Sequence, residues 1–221
     1  MNGGSFTTRK GQMPVEEIEK VIDAIPTDQE LIQRRRAQIA HAALTIFSKK
    51  GFHKSRVRDV AREAGLAVGT IYEYVSTKED ILYLACQQGF AEFEETVREA
   101  VSRHTGPLEK LKAAVHAYYH IMGDIDDSIL LLYRESQSLD QAGRRMIMRR
   151  EEDVRRIFEE ALAQGMEEGI FRVENPKLIA HDILVLGQMW GLKRWSLRKD
   201  LGLGEFTKLQ MGLVLSGILA R

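Results

Sequence analysis

The chain of 221 residues carries 32 Lys+Arg against 32 Asp+Glu, is 44% hydrophobic, and contains four prolines and a single cysteine. This mixture excludes a disordered or fibrous chain and leans towards helix, while the lone Cys86 excludes an intrachain disulfide framework and a cysteine-built zinc cluster and fits a reducing compartment. The uncharged stretch 209–220 is shorter than the roughly 20 apolar residues a bilayer span needs, and the polar, Gly-rich start at 1–14 has no apolar signal core, so the expectation is a cytoplasmic protein without a membrane partner.

The first predicted element is a short amphipathic helix, Pro14–Ile25, ended by Pro26. Thr27-x-x-Glu30 then reads as a capping box, opening a helix whose stripe is Ile32, Ile39, Ala43, Ile46 and Phe47 and whose stop is Gly51. Ser55 is placed to cap a very short helix, Arg56–Ala64, that stops at Gly65, and Val68–Val75 makes the next. Thr77-x-x-Asp80 opens a long helix to about Arg103. Gly106-Pro107 starts another, with Leu108, Leu111, Val115, Tyr118 and Met122 inward. The pattern continues through Asp126–Ser138 and a strongly charged Gln141–Met166. Asn175-Pro176 caps a helix to about Arg198, and residues 205–219 form the last. These final two elements are apolar around most of their circumference; they form either buried core or a face for a second copy, and their adjacency at the end of the chain favours dimerisation.

The balanced net charge hides an asymmetry. Residues 29–80 hold ten Lys/Arg and six Asp/Glu, leaving a net −4 on the remainder. A basic segment on an acidic body suits a chain of which one part meets a polyanion, although a solvated surface gives the same count. Within that segment the two short helices around Gly65-Leu66-Ala67 make a helix-turn-helix candidate. Val57, Val60 and Ala61 face inward, the turn needs a glycine for its left-handed residue, and Val68, Gly69 and Thr70 lead the second helix. Ile71 enters the core, and Tyr72, Glu73 and Tyr74 are expected to face out.

The run from Gly51 to Leu82, with its Ala-Arg-Glu-Ala-Gly65-Leu-Ala-Val-Gly69-Thr-Ile-Tyr72 and Thr77-Lys78-Glu start, resembles the DNA-binding domain of tetracycline-repressor-type (TetR) transcriptional regulators over about fifty residues. The resemblance implies an all-α protein: an N-terminal extension (1–27), a three-helix helix-turn-helix domain (28–80), and a helical effector-binding and dimerisation domain (81–221). It implies a homodimeric repressor released from a palindromic double-stranded operator by a small molecule. Carried over to this sequence, Ser55 and Arg56 stand at phosphate positions, and Val68, Gly69 and Thr70 at base-reading positions. Tyr72 and Tyr74 stand at backbone or base contacts, and Lys78 at a phosphate contact. Three departures stand out: Ala67 where a capping Ser is usual, Val68 where a polar residue is common, and Val75 in place of Phe.

For the effector, Phe93, Tyr118, Met122 and Tyr133 offer aromatic or soft pocket material, with ordinary core packing as the alternative. Arg194 and Arg198 fall on the helical arc between Trp190 and Trp195, where two guanidiniums could hold a phosphate or carboxylate beside an apolar slot; an exposed basic helix end is the other reading. This ending resembles family members responding to fatty acids or acyl-CoA, so the expected effector is an amphipathic anion, with an aromatic or cationic drug-like ligand or a constitutive DNA binder as alternatives. His116 and His120, with Asp124 one turn on, lack a further ligand at fixed spacing, and Asp124-x-Asp126-Asp127 lacks a second acidic motif. No nucleophile elbow, phosphate loop or dinucleotide fingerprint appears. Neither enzyme activity, a metal nor a cofactor is expected.

Overall fold

A computed structural model of the chain describes residues 28–124, 135–197 and 199–220, leaving aside the side chains of Asp124 and Arg194. The predicted helix at 14–25, the Thr27 cap, most of the segment at 126–138, Tyr133 and Arg198 lie outside the described residues. Among those residues the structure is helical apart from one antiparallel bridge between Phe171 and Leu219.

Helix α1 spans Gln29–Lys50. Its N-cap is Asp28, one residue beyond the expected Thr27: the carboxylate accepts from the amides of Glu30 and Leu31 at 3.0 and 3.2 Å. The whole anticipated stripe from Ile32 to Phe47 is buried. Helix α2 is Val57–Glu63 and α3 is Val68–Tyr72. Between them the amide of Leu66 reaches back to the carbonyl of Ala61 and that of Gly65 to Arg62, a Schellman end that needs the left-handed φ of 66° found at Gly65. Helix α3 ends three residues short of the prediction because the amides of Tyr74 and Val75 both close on Ile71, which turns Tyr74 inward.

Helix α4, Lys78–Ser102, is the central strut. It packs against α1 on one side and against α5 (Pro107–Asp124) and α6 (Gln141–Glu167) on the other. A 3-10 turn at Ser136–Ser138 leads into α6. Helices α7 (Pro176–Leu197) and α8 (Leu203–Ile218) both lie on α5. As expected, the Asn175 side chain caps α7, accepting from the Leu178 amide at 3.0 Å. One apolar core runs from α1 to α8, while Leu178, Val185, Leu192, Leu209 and Leu213 on the outer faces of α7 and α8 stay exposed. No described helix is long and apolar enough to cross a membrane.

Candidate nucleic-acid interface and effector cleft

Helix α3 is fixed from behind by Ile71, which is fully buried, and by Val75 in the turn that follows. Its N-cap, Ala67, contributes no side-chain hydrogen bond. Val68, Gly69 and Tyr72 are exposed and Thr70 is half-buried, so these four share one open surface. Arg56, at the start of α2, is exposed as well. The Arg56 amide is held by the Asp59 carboxylate at 3.0 Å, while Lys50 and Arg62 pair with that same carboxylate at 3.2 and 3.4 Å. These partners keep Asp59 below the usual carboxylate range, the bond from the Arg56 backbone first among them. Lys54, Arg56 and Arg58 form no ion pair among the described residues and remain available to a polyanion.

Three of the expected contact residues stand differently. Ser55 is buried, and its hydroxyl donates to the Gly51 carbonyl at 2.7 Å, leaving α2 to start at Val57 without a serine cap. Tyr74 is only 4% exposed and its carbonyl accepts from the Arg36 guanidinium at 3.3 Å, so its ring cannot lie on a sugar-phosphate backbone. The Lys78 ammonium turns back on the turn before α2: it donates to the Phe52 carbonyl at 2.6 Å and sits 4.3 Å from the centre of the Phe52 ring. Burial there draws Lys78 below its ordinary range, opposed by Glu79 and Glu135.

On the effector side, a cleft of about 620 Å³ opens between α6 and α7. Phe93 of α4 and Tyr118 of α5 form its floor; Met148, Val154, Leu184 and Val185 supply apolar wall, Arg145, Arg149 and Arg155 supply guanidiniums, and Glu151, Glu152, His181 and Gln188 complete the lining. Arg155 is committed within its own helix to Glu152 and Glu159. Arg145 and Arg149 form no ion pair among the described residues. A smaller hollow shares Arg155 and His181 with the cleft and adds Asn175, Lys177 and Leu178. Burial pushes the Tyr118 phenol well above its usual range, and it serves as a neutral hydroxyl donating to the Leu184 carbonyl at 3.3 Å.

The remaining expected effector residues do not gather at this cleft. Met122 is buried in the core. Trp190 is also buried, its ring 4.8 Å from that of Phe206, whereas Trp195 is 66% exposed with the Lys193 ammonium 5.9 Å from its ring centre. The two indoles therefore do not line a common slot, because positions five apart on a helix point about 140° from each other. His116 and His120 are both exposed on α5, and no group of three His, Cys, Asp or Glu able to hold a metal exists among the described residues.

Sequence reasoning missed Arg145 and Arg149, though a signal existed. Arg145 has no acidic residue three or four positions away, and the two acids within reach of Arg149, Glu152 and Asp153, pair with Arg155 and Arg156.

Comparison with known proteins places these features in context. The description "Bacterial regulatory proteins, tetR family" matches residues 39–83, and "Tetracyclin repressor-like, C-terminal domain" matches residues 104–196. The HTH-type transcriptional regulator HbdR of Aromatoleum sp. (strain CIB) is 30% identical over 194 residues, 88% of this chain and 84% of that protein. FadR from Bacillus subtilis, solved with stearoyl-CoA, superposes with a TM-score of 0.70 at 23% identity over 81% of this chain and 97% of that one. AibR, solved with isovaleryl coenzyme A and operator DNA, superposes with a TM-score of 0.66 at 20% identity, again over 81% and 97%. At these identities the two structures speak for the fold.

Proposed function

The chain belongs to the TetR family of bacterial transcriptional regulators, and on that premise we propose that it is a cytoplasmic, homodimeric repressor that leaves a palindromic operator when an acyl thioester of coenzyme A enters the α6–α7 cleft. Residues 28–80 read the DNA, with Val68, Gly69, Thr70 and Tyr72 towards the bases and Arg56 towards a phosphate. Residues 81–221 bind the effector and form the dimer.

The observation that carries the effector reading is the two-sided chemistry of the cleft. An apolar floor and wall lie beside Arg145 and Arg149, which form no ion pair among the described residues, and an acyl thioester joins an apolar tail to a polyphosphorylated head. Arg145 and Arg149 suit phosphate because a guanidinium presents a planar fork of donors that remains charged at every working pH. The coenzyme A thioesters held by FadR and AibR join the same two features. Release from DNA follows only if the thioester binds the released conformation more tightly than the operator-bound one, since equal affinity shifts nothing.

The test is a titration of coenzyme A thioesters against the full chain on a selected palindromic duplex, read by fluorescence anisotropy. Saturable release is expected, and the double variant Arg145→Ala with Arg149→Ala should raise the concentration required at least tenfold. Unchanged release by that variant, with loss in Arg194→Ala with Arg198→Ala, would move the head to the end of α7. No release by any thioester rejects the effector class.

A further inference from the structure

We infer that Tyr118 sets the depth of the effector cleft and so restricts the acyl group to a compact one, a few carbons or a single ring. This rests on the effector reading above and deepens it.

Tyr118 and Phe93 form the floor, with ring centroids 5.2 Å apart. Each is 3% exposed or less, so no water-sized void touches the inner side of either ring. Phe158 packs against Tyr118, its ring 5.8 Å away and nearly perpendicular, and Tyr119 lies at 6.1 Å. On the same helices Val97, Leu111, Ala114 and Leu162 have no exposed surface at all, so no water-sized void borders them. The interior between α4, α5, α6 and α7, which a long alkyl chain would have to occupy, is already filled by side chains.

Tyr118 is also held in place. Its hydroxyl donates to the Leu184 carbonyl and is bonded by the Gln188 side chain. Its ring lies against Gly187, where a methyl group would come within 2.6 Å of a ring carbon; the glycine provides the room that the ring uses. Swinging the ring aside would break hydrogen bonds in dry surroundings and undo the contacts with Phe93 and Phe158. An acyl chain therefore gains affinity as it lengthens across the cleft and stops gaining where it meets the ring.

Isothermal titration of the full chain with acetyl-, butyryl-, hexanoyl-, decanoyl- and palmitoyl-CoA tests this, the last kept below its micellar concentration. For the unaltered protein, affinity should rise about fourfold per buried methylene up to a chain of about six carbons, and palmitoyl-CoA should bind at least tenfold more weakly than the best short thioester. Tyr118→Leu, a milder change than alanine, should move the optimum to longer chains with a gain of tenfold or more for decanoyl-CoA; Tyr118→Phe, which keeps the ring, should leave the optimum in place. Affinity that climbs through palmitoyl-CoA in the unaltered protein overturns the inference, as does a Tyr118→Leu profile superimposable on the original, while the effector reading survives either result. Failure of every thioester to bind removes the effector reading, and the inference with it.

Discussion

At the reading head, residues of equal formal charge do different things. Arg56 is exposed and unpaired among the described residues, whereas Lys78 spends its ammonium on the Phe52 carbonyl and ring. Arg56→Ala should therefore flatten the dependence of log K on log salt by about 0.9, the equivalent of one phosphate. Lys78→Ala should lower affinity at every salt concentration with the slope unchanged, because it loosens the turn before α2 without removing a phosphate contact. A shallower slope for the Lys78 variant would restore it to the phosphate surface. Thr70→Ala should relax preference at one base position by roughly 1–3 kcal/mol, which selection from a randomised operator would reveal. Cys86 lies at the opposite extreme of exposure: burial pushes its thiol up to about 12. A folded-state value raised above the unfolded one means that its contribution to stability is fully present below pH 9 and is lost as pH climbs towards 12. Iodoacetamide at pH 8 should label the native protein only as fast as it unfolds globally; rapid labelling without unfolding would show that α4 opens locally. Sequence alone could not separate these cases: Lys78 is drawn to Phe52, 26 positions away, and the inward turn of Tyr74 follows from two backbone bonds to Ile71 with no residue to announce them.

At the scale of elements, the cap of α4 was legible in the sequence, whereas the expected Thr27 and Ser55 caps are not the ones α1 and α2 use. Thr77 and Asp80 form a reciprocal box at the start of α4: the Thr77 hydroxyl accepts from the Asp80 amide at 3.0 Å, and the Asp80 carboxylate accepts from the amides of Thr77 and Ser76 at 2.9 and 3.1 Å. Thr77→Ala should cost about 1 kcal/mol, measured as a shift in the urea midpoint with an unchanged slope. A null effect would mean that Asp80 alone holds the helix start. The Pro107 and Pro176 starts and the Gly51 and Gly65 stops were equally readable, because each follows from a backbone restriction particular to that residue type. The cleft was not legible. The charged face of α6 reads as a solvated surface until the structure shows that Arg155 and Arg156 pair with Glu152 and Asp153, the acids three and four positions from Arg149. Arg194 and Arg198 on the arc between Trp190 and Trp195 suggested a slot flanked by indoles, yet one indole packs on Phe206 and the other faces water.

At the scale of the whole molecule, the apolar surfaces of α7 and α8 that face away from α5 demand a partner. Leu213 is 64% and Leu209 58% exposed on α8, and Leu178 and Leu192 are exposed on α7, large apolar groups that a lone soluble chain rarely leaves in water together. Leu213→Glu should convert a dimer into monomers by sedimentation velocity, because a charge placed in a dry interface costs several kcal/mol; a stable, unaltered dimer would place the interface on another face. The backbone at 170–172 adds a mechanical property to this arrangement. The amide of Arg172 bonds to the Ile218 carbonyl and that of Ala220 to the Ile170 carbonyl, so the chain leaving α6 is stitched to the end of α8. The opposite end of α6 follows the turn that begins at Glu135, whose carboxylate meets the His53 imidazole at 3.1 Å in the turn before α2. With one end bonded to the end of α8 and the other following Glu135, which meets His53 before α2, α6 has the geometry of a lever. Its 27 residues span about 40 Å, so a tilt of only about 2° at the pivot carries the far end through more than about 1 Å, a displacement comparable to the small helix shifts that switch interfaces.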